Sequence, residues 1–195
     1  IFSFKIIMKT FEKSFEDVEK MANHFINSFG DISQYKIIDD NDISAIFLAG
    51  APGAGKSEFL ETILYELKKN FIVIDIDIYR NMFSGYNGEN SSEFQNLSVK
   101  VADKILSFCF KNHLNFIFDG TFKSYWKVEQ NLTQWQKQNR KVVITLIFQE
   151  PRISYYYTFL RKMEKKRNVP VDIFVDGFYD SIANIFKAVN NFKNI

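Results

Sequence analysis

Along this chain the apolar positions change period several times, and each change marks an element. Phe11, Phe15, Val18, Ala22, Phe25 and Phe29 recur at the three- and four-residue spacing of one helix face, and Gly30 follows as a stop. That predicts an amphipathic helix over residues 10–29. Residues 31–44 read as a polar connector. The pattern then becomes continuous: AIFLAG (45–50), FIVIDID (71–77), NFIFDG (115–120) and KVVITLIF (141–148) are short unbroken apolar runs. Helical patterns separate them: one to about Asn70, one over 93–112 after the Gly- and Asn-rich loop 84–92, and one over 124–139. Two more follow, over 152–165 and 172–190, divided by KKRNVPV. Continuously apolar strands alternating with helices predict a mainly parallel sheet covered on both faces, a three-layer α/β fold. Residues 1–43 are expected to form an N-terminal helical extension and 44–195 one domain. The Phe-rich face of the first helix is expected to pack on that domain, with a place over a ligand site as the alternative.

Bulk composition narrows the field only modestly. The 195 residues suit one domain with a sizeable core. A net charge of +2 is too small to argue for nucleic acid or an anionic membrane as partner. The single cysteine, Cys109, lies in an apolar helical pattern and reads as a core thiol, consistent with a reducing cytoplasm. IFSFKIIMKT is interrupted by Lys5 and Lys9 and does not read as a signal sequence; Met8 is a candidate start. No apolar run approaches the length of a membrane span.

Chemistry enters where the first apolar run ends. Gly50, Ala51, Pro52, Gly53, Ala54, Gly55, Lys56 and Ser57 satisfy G-x-x-x-x-G-K-[ST], between a predicted strand and a predicted helix. Glycines let such a loop turn successive N–H groups inward on phosphate oxygens, and the helix adds its positive N-terminal end. Lys56 is expected to bridge the β- and γ-phosphates, and Ser57 to hold Mg²⁺.

Acids stand at the ends of the next two runs. Asp75 and Asp77, two apart, are expected to project from one face of a strand, and Asp119 ends NFIFD. Open α/β sheets hold ligands at the carboxyl ends of their strands. Asp77 suits the group that accepts a hydroxyl proton, and Asp119 suits Mg²⁺ or its waters; for any one of these acids, helix capping or a loop hydrogen bond is the structural alternative. Beyond the fourth run, TFLRKMEKKRNVP carries Arg161 and Arg167, whose planar guanidinium groups match the charge on a transferring phosphoryl. Pro170 predicts a helix break nearby.

With GAPGAGKS, IDIDIYR, DGT and LRKMEKKRNVP in this order, the chain resembles the zeta toxin family of P-loop kinases over about Ile46 to Ile185. The resemblance implies a P-loop kinase fold and a phosphotransferase using ATP or GTP with Mg²⁺. In the family the acceptor is the 3′-hydroxyl of the sugar in UDP-N-acetylglucosamine. It assigns Asp77 as base, Lys56 as the loop lysine, and Arg161 and Arg167 as catalytic arginines. Arg80, Asp103, Asp119 and Thr121 fall on the acceptor side. It also implies a small helical antitoxin that blocks the nucleotide site. This chain departs from its relatives in reading Asp119 where they have Glu, in NMFSGY after Arg80 where many have a His-Pro pair, and in shorter segments around the acceptor pocket. A small-molecule or nucleoside kinase without a toxin role, and a nucleotide-dependent binding module, therefore stand beside the sugar-nucleotide kinase.

Overall fold

The computed structural model describes residues 10–37, 43–67, 70–138, 140–193 and 195. The chain runs α1 (Phe15–Ser28), a short 3₁₀ turn (Ile32–Tyr35), β1 (Ile43–Ala49), α2 (Lys56–Glu66), β2 (Ile72–Asp75) and α3 (Ile76–Asn81). It continues through α4 (Ser91–Lys111), β3 (Phe116–Asp119), α5 (Tyr125–Lys137), β4 (Lys141–Leu146), α6 (Pro151–Lys165) and α7 (Val171–Asn191). The strands form one parallel sheet in the order β2-β3-β1-β4. The order reverses at β1, so the loop leaving it opens at a topological switch point, the usual ligand position of such sheets. Among the described residues no helix is long and apolar enough to cross a membrane.

Strand alternation explains why these runs carry no polar face. Ala45, Phe47 and Ala49 of β1, Ile72 and Ile74 of β2 and Phe116 of β3 enter one large core with α1, α4 and α5. Their neighbours Ile46, Leu48 and Ile117 point the other way, onto Leu60 of α2. β1, β2 and β3 are therefore apolar on both sides. Trp135 of α5, 1% exposed, fills the large core with its ring centroid 4.7 Å from Phe116 and 5.0 Å from Phe110. Cys109 lies in the same core, and burial pushes its thiol up to about 12, as suits a packing residue.

The first helix is shorter than its pattern. Ser14 caps it, its hydroxyl accepting from the Asp17 N–H at 3.1 Å. Val18, Met21, Ala22 and Phe25 are buried, but Phe15 is 68% exposed. Phe11 lies before the helix in an extended bridge to Phe83, and its N–H donates to the Met82 carbonyl at 3.0 Å. A stronger local cap at Ser14 ends the helix there, and tertiary pairing claims Phe11. α1 packs on α4, with Lys104 of α4 ion-paired to Glu19. The polar connector and the first residues lie partly outside the described residues, Met8 among them.

Candidate active site

The second strand ends earlier than its apolar run. Asp75 is its last residue and also the N-cap of α3, its carboxylate accepting from the Asp77 N–H at 2.8 Å. Asp77 thus sits in the first turn of a helix and not on the strand, which corrects the expectation that the two acids share a strand face. The physical reason is local: an Asp side chain satisfies an unpaired helix N–H better than it extends an edge strand. Capping is the role Asp75 takes. Three residues on, one turn along the same face, Arg80 reaches back and donates from Nη1 to Asp77 Oδ1 at 3.0 Å.

The loop from Gly50 to Gly55 connects β1 to α2 as its motif requires. Lys56 Nζ lies inside the loop, donating to the carbonyls of Gly50 at 2.9 Å and Ala51 at 2.8 Å. Burial lowers the Lys56 pKa, with Asp119 the main opposing charge. The loop is braced by α6. Ser154 Oγ donates to the Pro52 carbonyl at 2.9 Å, and Gly53, at φ +77°, passes so close that a Cβ there would lie 2.2 Å from the Ser154 carbonyl oxygen. Only glycine meets both conditions.

Asp119 ends β3 opposite Asp75 of β2 and Leu48 of β1. Burial, and then the charge of Asp75, pushes the Asp119 carboxyl up to about 7, although Lys56 opposes the rise. Asp77 goes the other way. Burial alone would raise it, but Arg167 and then Arg80 outweigh burial and hold the carboxyl below its usual value. Arg167 donates from Nη1 to Asp77 Oδ2, so each oxygen of the carboxylate has its own guanidinium.

α6 ends at Lys165, Lys166 turns left-handed at φ 57°, and α7 begins only after Pro170. That break swings Arg167 off the helix that carries Arg161, and both arginines come to one cavity of about 210 Å³. Ser57, Asp75 and Asp77 line it with them, as do Ile78, Asn81, Tyr86 and Lys165. Gly88 packs closely beside it: a Cβ on Gly88 would lie 2.4 Å from the Lys165 carbonyl oxygen, so the loop before α4 rests on the segment that carries Arg167. A second cavity, of about 250 Å³ beside Ser44, His113 and Arg140, opens at the amino ends of the strands and holds none of this chemistry.

Ser57, Asp77, Arg161 and Arg167 are thus brought together, with Lys56 and Asp119 close enough to shift one another's ionisation. Asp103 and Thr121 do not line this cavity. Asp103 accepts an ion pair from Lys127 of α5 at 2.6 Å. Thr121 lies in the turn after β3, which Asn184 of α7 pins through the carbonyls of Phe122 and Lys123 at 3.0 and 2.6 Å. Arg80 is 3% exposed, and its Nη2 donates to Gln95 of α4. Gln95, Gly88, Ser154 and Asn184 carry no sequence signal, because each acts on a segment distant in the chain.

A parallel sheet whose strand order reverses at a phosphate loop, with a basic segment beyond the fourth strand, defines a nucleotide-binding domain of the P-loop kinase type. The model of the zeta toxin family matches residues 27–194, and the chain belongs to that family. It is 24% identical over 127 residues to the toxin PezT of Streptococcus pneumoniae serotype 4, covering 62% of this chain and 50% of that protein. This chain therefore spans about half the length of that relative. A solved structure from the PezAT chromosomal toxin–antitoxin system of Streptococcus pneumoniae superposes with a TM-score of 0.72 at 19% identity, covering 92% of this chain and 75% of the other. The AvrRxo1-ORF1:-ORF2 complex with ATP superposes at 0.60 with 14% identity, over 91% of this chain and 57% of the other. At these identities the structural likeness speaks for the fold.

Proposed function

We propose that this chain is a phosphotransferase that moves the γ-phosphoryl group of ATP or GTP onto a hydroxyl group. A sugar nucleotide such as UDP-N-acetylglucosamine is the acceptor favoured by the family. The observation that carries the reading is the placement of Asp77 in one cavity with Ser57 of the phosphate loop and the two arginines.

Each group has a task in such a transfer. The N–H groups of residues 50–55 and Lys56 hold the phosphate chain, for which Lys56 gives up its present loop carbonyls. Arg161 and Arg167 neutralise charge that develops on the transferring group. Asp77 accepts the hydroxyl proton through Oδ2 once Arg167 turns from it to the phosphoryl oxygens; losing one cation raises its basicity at the step where a base is needed.

The residues present fit Mg²⁺. Ser57 stands in the first turn of α2, and Asp119 is a carboxyl pushed up to about 7 by burial and Asp75, which a nearby cation would ionise. Among the described residues no group of three or more His, Cys, Asp or Glu forms a metal cage, as suits an ion held chiefly by phosphates and water. Held by Ser57 and Asp119, Mg²⁺ would supply charge neutralisation to the phosphate chain.

Asp103 tied to Lys127 and Thr121 outside the cavity favour a second reading, a kinase of another small molecule or nucleoside. The likeness to a toxin–antitoxin structure supports a protein inhibitor as partner, and the single cysteine is consistent with a reducing cytoplasm as its place of action. The test combines purified protein, MgATP and UDP-N-acetylglucosamine, reading ADP and product mass. Transfer should fall by about 10² to 10⁴ in Asp77→Asn while nucleotide affinity holds. Full-rate transfer by that variant would remove Asp77 as base. No transfer to this acceptor, but transfer to another, would select the second reading. ATP binding with no acceptor-dependent turnover at all would leave a binding module.

A further inference from the structure

Arg80 stands on the helix that carries Asp77, yet its surroundings are not those of an acceptor contact. The neighbours Ile78 and Asn81 line the cavity beside the phosphate loop, while Arg80 does not. It is 3% exposed, against 41% for the Asp77 side chain it serves. Both terminal nitrogens are committed within the protein, Nη1 to Asp77 Oδ1 and Nη2 to Gln95 Oε1. The remaining Nε is buried and has no hydrogen-bond partner among the described residues. Two of the five guanidinium N–H groups are thus used within the protein, and burial keeps the side chain out of the lining of the cavity.

We infer that Arg80 is a positioning residue for Asp77, and that Gln95 of α4 sets its pose. The chain Gln95–Arg80–Asp77 fixes one carboxylate oxygen, Oδ1, and leaves Oδ2 as the oxygen offered to the acceptor. A planar guanidinium can hold two acceptors at a set angle, which an ammonium cannot. The arrangement also divides labour between the two arginines on this carboxylate. Arg80 is buried between helices and stays. Arg167 lies in the segment between α6 and α7, is more exposed, and is free to exchange Asp77 for phosphate.

This inference deepens the proposed function, so its test must not depend on an identified acceptor. The full chain, labelled with ¹³C at aspartate Cγ, is titrated without ligands, and the Asp77 signal is assigned by its loss in Asp77→Asn. The other charges around Asp77 are Asp75, Asp119, Lys56, Arg161, Arg167 and Lys165, and all stay in every variant. Arg80→Met should raise the Asp77 midpoint by about one unit. Gln95→Leu, at an exposed position that leaves the core alone, should move it in the same direction by less. Arg80→Lys should restore it only partly, because an ammonium cannot span both partners. ATP affinity should stay within about twofold of wild type throughout.

An unchanged Asp77 midpoint in both Gln95→Leu and Arg80→Met would overturn the inference, whether or not the protein proves to be a kinase. Where an active acceptor is in hand, Arg80→Met should lower kcat with little change in acceptor KM. A rise in acceptor KM alone would return Arg80 to the acceptor side.

Discussion

Replacing Asp119 by asparagine tests the electrostatics of the strand ends directly. A carboxyl titrating near 3.9 in the unfolded chain and at about 7 in the folded protein differs by about three units, or about 4 kcal/mol by linkage. The folded state keeps this proton up to about pH 7, and the unfolded chain releases it near pH 4. Between those values the folded state binds more protons, so stability falls as pH rises through the window and levels off above it. The amide of Asp119→Asn has no such proton and resembles the protonated carboxyl in shape. The variant should therefore be more stable than wild type, by a margin that grows with pH. Asp119 is not sealed from water, so roughly 2 kcal/mol is the expected growth from about pH 5 to about pH 8. Urea denaturation of both proteins, in chelator and without nucleotide, measures it. A margin that stays flat across that range would show that Asp119 ionises normally, and the account of Asp75 and Asp119 as competing neighbours would fall.

Gly53→Ala places a Cβ 2.2 Å from the Ser154 carbonyl oxygen at a left-handed φ. It should cost about 1–3 kcal/mol and weaken a fluorescent ATP analogue by tenfold or more; unchanged affinity would mean that α6 does not shape the phosphate loop. Trp135→Ala empties a fully buried site between Phe110 and Phe116 and should lower stability by about 3–5 kcal/mol in denaturant titration.

The phosphate loop was legible because its chemistry is local. Glycines, lysine and serine in eight consecutive residues, between a strand and a helix, determine both the backbone path and the ligand it suits. The strands were legible because burial on both faces leaves unbroken apolar runs. The same rule misled at FIVIDID, where a capping bond two residues long ended the strand at Asp75 and turned Asp77 onto a helix. It misled again at Phe11 and Phe15, since helical spacing marks a face without saying what that face meets. Composition and pattern by themselves determined a layered α/β nucleotide-binding fold and the residue types of its site. Only the tertiary structure decided which of those residues converge. Arg167 meets Asp77 across 90 positions, Asn184 reaches Phe122 across 62, and Arg80 finds Gln95 across 15. Such contacts depend on how helices and loops pack over the sheet, and no local spacing encodes the partner.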